Sequence, residues 1–340
     1  MTQRIALVAN AGDGTISTFL LAEAGLGSTL EPLATTAVGP KCSTFAVDAK
    51  ADRIYVGAGD GEPAIVTMAL DRATGELRET HRTAIEARLT YLALTPCGRW
   101  LLGASYGGNV GHVWPVTDGA IGEATATVEF EKLHCVVTDG RFAYFVSLGD
   151  DLVAQYALGD GRLTPLEPPT VAFPAGSGPR HLVLNAAGEQ AYLITEYSGE
   201  VFRLDRDTTT GALRLRESVS IVDPDANLTH SRKGADPIAE HLIWGADVHL
   251  SPDERWLLAT ERTESTLTSV ALDDGRLGQR ADLVLTEKQP RGFAVSPGGL
   301  VIVTGERSTQ VRLHAIADDG TLPRITRTPT GAGANWVRII

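Results

Sequence analysis

A β-hairpin pattern recurs along this chain about every 45 residues, and this repeat constrains the fold more than any other feature. Each copy has a short apolar run, a polar turn and a second apolar run, as expected for two antiparallel strands. The copies begin at residues 43, 90, 134, 180, 246, 291 and 335. Further strand pairs near Asp-Gly turns follow the hairpins, so each unit has four short strands. Seven such units predict an all-β, seven-bladed β-propeller.

The two ends of the chain are expected to complete one blade together. The last copy, 335–340, supplies only a first strand, and segments 4–8 and 16–19 can supply strands outside it. Pairing of the N- and C-terminal strands would close the ring without a broken seam. We predict residues 1–340 to be a single propeller domain, because no Pro/Ser-rich or charged linker separates two domains.

The fourth complete unit is longer than the others by about 20 residues. We predict an inserted loop at about 221–243, which contains His230, Arg232 and Lys233. Long polar insertions in regular repeats lie on one face of the fold and often cover a site. A solvated loop without a function is the alternative.

Charge and cysteine content narrow the classes of partner and compartment. The formal net charge of −12 disfavours a nucleic acid or an anionic membrane as partner. The apolar run before Asn10 is too short for a signal peptide or a membrane span. Three cysteines in an odd count, with no Cys-x-x-Cys spacing, favour free thiols in a reducing compartment. We therefore expect a soluble cytoplasmic protein.

In a propeller, the innermost strand of each blade lines the central channel, and the first residue of that strand lies at the channel mouth. The ring positions, defined as these first residues, are Ser43, Thr90, His134, Arg180, Ala246, Arg291 and Asn335. In the hairpin that starts at Arg180, Glu196 is as far from Gly188 as Arg180 is. Residues equidistant from a turn face each other across antiparallel strands, so this cation and carboxylate should meet.

Basic residues are concentrated at the same mouth. Arg262 follows Glu261 at the end of a second strand, and Lys41 and Arg88 each lie two residues before a ring position. Together with His134, Arg180 and Arg291 they predict an anion site next to the Glu196 carboxylate. As an alternative, each arginine could pair with a glutamate of a neighbouring blade, such as Glu306, and only tie the ring together.

The sequence has no other motif for catalysis, cofactor binding or metal binding, and two further histidines are expected to have packing roles. His181 and His249 lie inside strand runs, which predicts core or blade-packing roles. The sequence has no nucleophile elbow, Walker loop or dinucleotide fingerprint, and no His/Cys/carboxylate cluster at metal-ligand spacing. Glu196 and Asn335 could be metal ligands in a propeller, but the arginines around them would repel a cation. We therefore predict no cofactor and no metal.

The chain resembles the seven-bladed propeller lactonase family, which contains the bacterial 6-phosphogluconolactonases and the fungal 3-carboxy-cis,cis-muconate lactonizing enzyme. The residues that carry the resemblance are Gly178-Pro-Arg-His181 with Glu196, Trp244-Gly-Ala-Asp-Val-His249, Gln289-Pro-Arg-Gly-Phe293, Ser105-Tyr-Gly-Gly-Asn-Val110 and Gly333-Ala-Asn-Trp336. The resemblance implies that His134, Arg180 and Glu196 are catalytic and that Arg291 helps to bind an anionic substrate. Lys41, Arg88 and the longer insertion depart from the pattern of the family.

Together with the resemblance, these residues predict a metal-independent lactonase. Its expected substrate is an anionic lactone similar to 6-phosphogluconolactone. Glu196 or His134 would be the base, and Arg180 would stabilise the oxyanion. The substrate-binding residues would be Arg291, Arg262, Arg88, Lys41 and Asn335.

Two other functions are open at this point. A muconate-type cycloisomerase could use the same residues, with arginines on the carboxylates and Glu196 or His134 moving a proton. A protein-binding platform would need an exposed apolar patch, and aromatic residues make up only 6% of the chain. The expected partner is a small anionic lactone or carboxylate, and we expect a monomer or a weak homo-oligomer.

Overall fold

The computed structural model describes residues 2–340, which form seven antiparallel sheets arranged as the blades of a propeller. The innermost strands of neighbouring sheets contact one another in turn, and the last contacts the first, so the ring is closed. This confirms the predicted all-β, seven-bladed fold.

The first four blades include both chain ends. Blade 1 combines β29 (Ala334–Ile339) with β1 (Thr2–Asn10), β2 (Thr15–Glu23) and β3 (Thr29–Ala37). Blade 2 contains β4 (Thr44–Asp48), β5 (Arg53–Ala58), β6 (Ala64–Leu70) and β7 (Leu77–Ala84). Blade 3 contains β8 (Tyr91–Leu94), β9 (Trp100–Ser105), β10 (Val110–Thr117) and β12 (Ala126–Glu129), with β11 (Ala120–Ile121) also paired to β10. Blade 4 contains β13 (Leu133–Thr138), β14 (Phe142–Ser147), β15 (Leu152–Gly159) and β16 (Arg162–Ala172).

The last three blades have four strands each. Blade 5 contains β17 (Pro179–Leu184), β18 (Gln190–Thr195), β19 (Glu200–Arg206) and β20 (Leu213–Ser220). Blade 6 contains β21 (Gly245–Leu250), β22 (Trp256–Glu261), β23 (Thr266–Asp273) and β24 (Arg276–Leu285). Blade 7 contains β25 (Gly292–Val295), β26 (Leu300–Thr304), β27 (Gln310–Ala315) and β28 (Arg324–Pro329).

Blade 1 closes the ring by pairing the two ends of the chain, as the sequence predicts. Strand β29 is innermost and pairs antiparallel with β1, from Ala6 opposite Ile339 to Ala9 opposite Trp336. The N-terminal segment supplies three strands of this blade, because β3 adds to the two predicted ones. The terminal strands therefore protect each other's edges.

The blades pack face to face, which explains why their strands are apolar on both sides. Val8 and Phe19 of blade 1, for example, share a buried cluster with Ile302 and Val311 of blade 7. Burial of both faces removes the simple inside–outside alternation that a sheet with one wet face would show.

A repeated hydrogen bond joins neighbouring blades at turns that follow the third strand of a blade. In six turns a glycine with positive φ exposes its carbonyl oxygen to a hydroxyl of the preceding blade. The hydroxyl donors and glycine acceptors are Thr18 and Gly75, Thr67 and Gly119, Thr125 and Gly161, Tyr144 and Gly211, Tyr192 and Gly275, and Ser269 and Gly320. Thr328 Oγ1 donates to the Leu30 carbonyl and joins blade 7 to blade 1.

The segment 221–243 connects blade 5 to blade 6. It contains a 3-10 turn at Pro224–Ala226 and the short helix α1 (Pro237–Glu240). The side chains of Asp223 and Asp236 cap these two turns by accepting backbone N–H groups. Among residues 2–340, no helix is long and apolar enough to cross a membrane.

Candidate active site

β-Bulges at the starts of the innermost strands place several ring residues. The strand register shifts by one at His134, between Leu133 and Cys135, and at Arg180, between Pro179 and His181. A similar shift between β1 and β29 includes Asn335. A bulge leaves one residue outside the ladder and redirects its side chain, so an irregularity of the backbone helps to present each of these residues.

Arg180 is the central residue of the site and is completely buried. Its Nε donates to Glu196 Oε2 at 2.9 Å, so the predicted cation–carboxylate pair forms. Its Nη1 donates to the Ala246 carbonyl oxygen and lies 3.2 Å from His181 Nε2. Within residues 2–340, Nη2 makes no hydrogen bond. Burial lowers the pKa of the guanidinium, and the charge of Glu196 opposes that shift.

Two further arginines extend this ion-pair network, because Arg262 shares Glu196 with Arg180 and Arg291 shares Glu306 with Arg262. Arg262 Nη2 lies 3.4 Å from Glu196 Oε2, and its Nη1 lies 3.3 Å from Glu306 Oε2. Arg291 Nη1 donates to Glu306 Oε1 at 2.9 Å. Burial opposes ionisation of Glu306, but Arg291 and Arg262 outweigh it and lower its pKa to about 2. The pairing of arginines with neighbouring glutamates is therefore present, and it joins blades 5, 6 and 7 at the place where the sequence predicts an anion site.

Arg262 is supported from one side by an aromatic ring. Its guanidinium carbon lies 3.4 Å from the centre of the Trp244 ring, which is a close cation–π contact. Burial lowers the pKa of Arg262, and Glu196 opposes that shift. Trp244 belongs to one of the motifs that carry the family resemblance, and no local signal in the sequence indicated its contact with Arg262.

His134 lies in the channel beside this network. Its ring centre is 5.1 Å from that of His181 and 5.9 Å from that of Tyr106. Burial, with the nearby charge of Arg180, lowers the pKa of His134 well below its ordinary value. His134 is therefore a neutral imidazole at physiological pH.

Three buried polar atoms of the site have no hydrogen-bond partner within the described chain. They are His134 Nδ1, Asn335 Oδ1 and Arg262 Nε. A buried polar atom without a partner costs about 1–3 kcal/mol, so such atoms are rare in folded proteins. Among residues 2–340, these three are part of a set of seven such atoms, and at these positions a polar ligand would be able to supply the missing hydrogen bonds.

The remaining predicted site residues are not part of the network. Lys41 and Arg88 are exposed, and neither side chain makes a hydrogen bond or ion pair to the network within residues 2–340. Glu261 is buried and accepts the backbone N–H groups of Trp244, Thr263 and Glu264, so it orders the turn after β22.

Sequence reasoning missed the contact between Asp247 and His181. His181 Nδ1 lies 2.7 Å from Asp247 Oδ1, and both residues are buried behind Arg180. The expectation that His181 and His249 are satisfied packing residues agrees with their hydrogen bonds, because His249 Nε2 also lies 3.3 Å from Asp247. A carboxylate inside a short innermost strand was the available signal for Asp247.

The 221–243 segment lies next to the site. The Ser231 N–H donates to the carbonyl oxygen of Tyr197, the residue after Glu196. Lys233 forms an ion pair with Glu131, which precedes the innermost strand of blade 4. His230 and Arg232 are exposed. Among the described residues, their side chains form polar contacts only within the segment: Arg232 forms an ion pair with Glu240, and His230 Nδ1 lies 2.8 Å from the Ser231 carbonyl oxygen.

Across residues 2–340, no group of three or more His, Cys, Asp or Glu side chains is arranged to hold a metal ion. The carboxylates of Glu196 and Glu306 are both paired with arginines. The chemistry available in the site is therefore that of guanidinium donors, a neutral imidazole and paired carboxylates.

Known proteins are similar to this chain in sequence and in fold over most or all of its length. The family model described as "Lactonase, 7-bladed beta-propeller" matches residues 4–339. The chain is 30% identical over 285 residues to the 6-phosphogluconolactonase of Sodalis glossinidius, which covers 81% of this chain and 82% of that protein. It is 28% identical to the 6-phosphogluconolactonase of Serratia proteamaculans over 99% of both chains.

Solved structures confirm the architecture. The periplasmic gluconolactonase of Pseudomonas aeruginosa has a TM-score of 0.86 at 24% identity and covers 100% of this chain and 99% of that chain. A protein from Lactobacillus plantarum has a TM-score of 0.87 at 23% identity, with 100% of both chains covered. The resemblance seen in the motifs thus extends from one end of the propeller to the other, and the chain belongs to the family of seven-bladed β-propeller lactonases.

Proposed function

We propose that this protein is a metal-independent hydrolase of an anionic sugar lactone, with a 6-phosphogluconolactone-like compound as substrate. The observation that carries the proposal is the state of Arg180. It is wholly buried, two of its nitrogens are held by protein acceptors, and Nη2 has no acceptor within residues 2–340. A guanidinium that is held in place through two nitrogens and has a third nitrogen free to donate is suited to stabilising an oxyanion. The names of the relatives support the same reaction.

His134 is the residue we assign as the base. Its neutral imidazole can accept a proton from water as the water oxygen bonds to the lactone carbonyl carbon. The carbonyl oxygen then becomes an oxyanion that accepts from Arg180 Nη2. When the tetrahedral intermediate collapses, the bond between that carbon and the ring oxygen breaks. The ring oxygen takes the proton from His134, and the product is the open hydroxy acid.

The sequence suggested Glu196 as a possible base, but we assign it a different role in this mechanism. Its Oε2 accepts from Arg180 and lies near Arg262, so the carboxylate already has two cationic partners. We assign Glu196 the role of holding Arg180 and Arg262 in place, and His134 the role of proton acceptor. Asn335 Oδ1, which is buried without a partner, would accept from a hydroxyl group of the sugar.

Arg291 is the proposed ligand of the anionic group. It is partly exposed, and only its Nη1 bonds to Glu306 among the described residues. The other nitrogens of the guanidinium can bind a phosphate or carboxylate bidentately. Lys41 and Arg88 are exposed and would act only on approach of the substrate.

The test is the rate of 6-phosphoglucono-δ-lactone hydrolysis above the spontaneous rate, with chelator-treated protein and with glucono-δ-lactone as a second substrate. We expect metal-independent acceleration for the phosphorylated lactone. No acceleration by folded protein would refute the proposal. Loss of muconate ultraviolet absorbance would instead indicate the cycloisomerase, which the relatives do not favour.

We further propose that the protein acts in the cytoplasm as a monomer or weak homo-oligomer, without nucleic acid or membrane as partner. The net charge of −12 and the free state of Cys42, Cys97 and Cys135 support this. Fractionation of the native host and light scattering of the purified protein test the location and the oligomeric state.

A further inference from the structure

A second layer of polar residues lies directly behind Arg180. Arg180 Nη1 is 3.2 Å from His181 Nε2, and His181 Nδ1 is 2.7 Å from Asp247 Oδ1. The exposed fraction is 0% for Arg180, 2% for His181 and 5% for Asp247. Three ionisable side chains are therefore connected in a row with almost no exposure to solvent.

The chemistry of the guanidinium determines where the His181 proton lies. Arginine only donates hydrogen bonds, so His181 Nε2 must accept from Arg180 Nη1. The proton of the neutral ring is then on Nδ1 and is donated to Asp247. Burial, followed by the charge of Arg180, lowers the pKa of His181 to about 3, which agrees with a neutral ring. A second proton on His181 would place two cations against each other and remove the acceptor for Arg180.

Asp247 is held by three consecutive blades. It is on β21 of blade 6 and accepts from His181 of blade 5 and from the backbone N–H of Phe293 of blade 7 at 3.1 Å. It also accepts from the backbone N–H of Val248 at 3.0 Å. Burial opposes its ionisation, but His249 and His181 outweigh it and hold the pKa of Asp247 well below the ordinary value. The carboxylate therefore has a fixed position and a fixed charge.

We propose that Asp247 and His181 are positioning residues that hold the Arg180 guanidinium with Nη2 directed to the reacting carbonyl oxygen. Asp247 fixes the tautomer and ring orientation of His181, and His181 Nε2 then holds Arg180 Nη1 against rotation. Glu196 holds the Nε side of the same guanidinium. This inference rests on the proposed function of Arg180 in lactone hydrolysis.

The competing explanation is that these residues only join the blades. Both explanations predict a loss of stability on substitution, so stability does not separate them. They differ in what the Arg180 guanidinium does when its acceptor is removed. A positioning role predicts a changed orientation and a lower kcat, and a purely structural role predicts neither.

The experiment compares His181→Phe with His181→Gln. Phenylalanine has an aromatic ring but lacks both imidazole nitrogens, so it removes the acceptor for Arg180. Glutamine offers an amide oxygen to Arg180 and an N–H to Asp247. A misplaced catalytic group of this kind costs about 100-fold in rate, so we expect that loss of kcat for His181→Phe. KM should change by less than about threefold, and His181→Gln should recover most of the activity.

His314→Phe is the matched control. His314 is also fully buried, and its two ring nitrogens lie 3.1 Å from Thr286 Oγ1 and 3.1 Å from the Leu322 carbonyl oxygen in blade 7. It makes no hydrogen bond to the channel network within residues 2–340. We expect this variant to lose stability and to keep the wild-type kcat.

Crystal structures of wild type and His181→Phe give a readout that does not depend on activity. We expect the Arg180 guanidinium to turn and to lose its bond to Glu196 in the variant. An unchanged guanidinium, an unchanged kcat, or a glutamine variant no more active than the phenylalanine variant would overturn the proposal. If wild type hydrolyses no lactone, the proposed function fails, and the guanidinium position still decides whether His181 holds Arg180.

Asp247→Asn is the second variant, for use if His181→Phe does not fold. An asparagine that donates to Nδ1 moves the ring proton to Nε2, where it opposes the N–H of Arg180. We expect ¹⁵N NMR of the His181 ring to report the exchanged tautomer, together with a fall in kcat of about 100-fold. An exchanged tautomer with unchanged kcat would overturn the proposal.

Discussion

Substitution of Arg180 by lysine keeps the positive charge of the site and removes the geometry of the guanidinium. In the wild type, Nε donates to Glu196, Nη1 donates to the Ala246 carbonyl oxygen and contacts His181, and Nη2 remains for the substrate. A lysine ammonium has its three donors on one atom. It can pair with Glu196 but cannot also reach the other acceptors and the oxyanion.

The expected magnitude follows from the contacts that are lost. Loss of one fixed donor to an oxyanion costs about 100- to 1000-fold in kcat, or about 3–4 kcal/mol of transition-state stabilisation. The ground-state lactone gains less from this donor than the oxyanion does, so KM should change little. His181 Nε2 and the Ala246 carbonyl oxygen lose their donor, which should cost about 1–3 kcal/mol of stability for each atom left unpaired.

Arg206→Lys is the matched control for this substitution. Arg206 is 7% exposed and donates through Nε to Tyr144 OH at 2.6 Å and through Nη1 to the Gly188 carbonyl oxygen at 2.7 Å. It also pairs with Asp139, at the hairpin turns of blades 4 and 5. The same loss of a buried guanidinium should lower stability there without a change in kcat.

The assay follows proton release from 6-phosphoglucono-δ-lactone in weak buffer, corrected for spontaneous opening, with folding checked by circular dichroism and thermal melting. We expect Arg180→Lys to be folded and slow and Arg206→Lys to be folded and active. A folded Arg180→Lys variant within about threefold of the wild-type kcat would refute the reasoning, because the guanidinium geometry would then have no catalytic value.

Three further predictions concern the imidazoles and the anion ligand. His134→Phe should lower kcat by about 100-fold. Wild-type kcat/KM should be independent of pH from about pH 6 to 8, because the pKa of His134 is held well below its ordinary value. A fall in wild-type kcat/KM below about pH 6.5 that is absent from the variant would contradict this prediction. Arg291→Leu should raise KM for 6-phosphoglucono-δ-lactone by about tenfold and leave that for glucono-δ-lactone unchanged, and an equal rise for both would contradict a role in binding the anion. Folding keeps the rings of His181 and His314 neutral, with their pKa values lowered to about 3 and about 4, while the unfolded chain takes up protons below about pH 6.5. Stability should therefore be fully present above about pH 7.5 and fall by about 2 kcal/mol for each ring by about pH 5, as measured by urea unfolding. The fall should be smaller for His314→Leu, and an equal fall in that variant would contradict the linkage.

The repeat of the hairpins was sufficient to predict the fold. Strand pairs that recur at a fixed spacing cannot bury their apolar faces alone, so they stack, and seven copies close a ring. The same local reasoning brought Arg180 to Glu196, because two residues equidistant from one turn are close whatever the rest of the chain does. It also identified the blade that the two chain ends share, since a last repeat with one strand needs partners.

Contacts between blades could not be predicted from residues that are close in sequence. Arg262 could have been an anion ligand or a tie to Glu306, and only the folded ring shows that it contacts both Glu196 and Glu306. His181 appeared to be a packing residue because its acceptor, Asp247, lies 66 residues away in the chain. The bulges that place His134 and Asn335 depend on how each strand pairs, and the sequence alone does not show that pairing. Amino-acid order thus determined the strands and their number, because strand pairing within a hairpin is local. The closure of the ring decided which charges meet in the channel, because those contacts join blades that are distant in sequence.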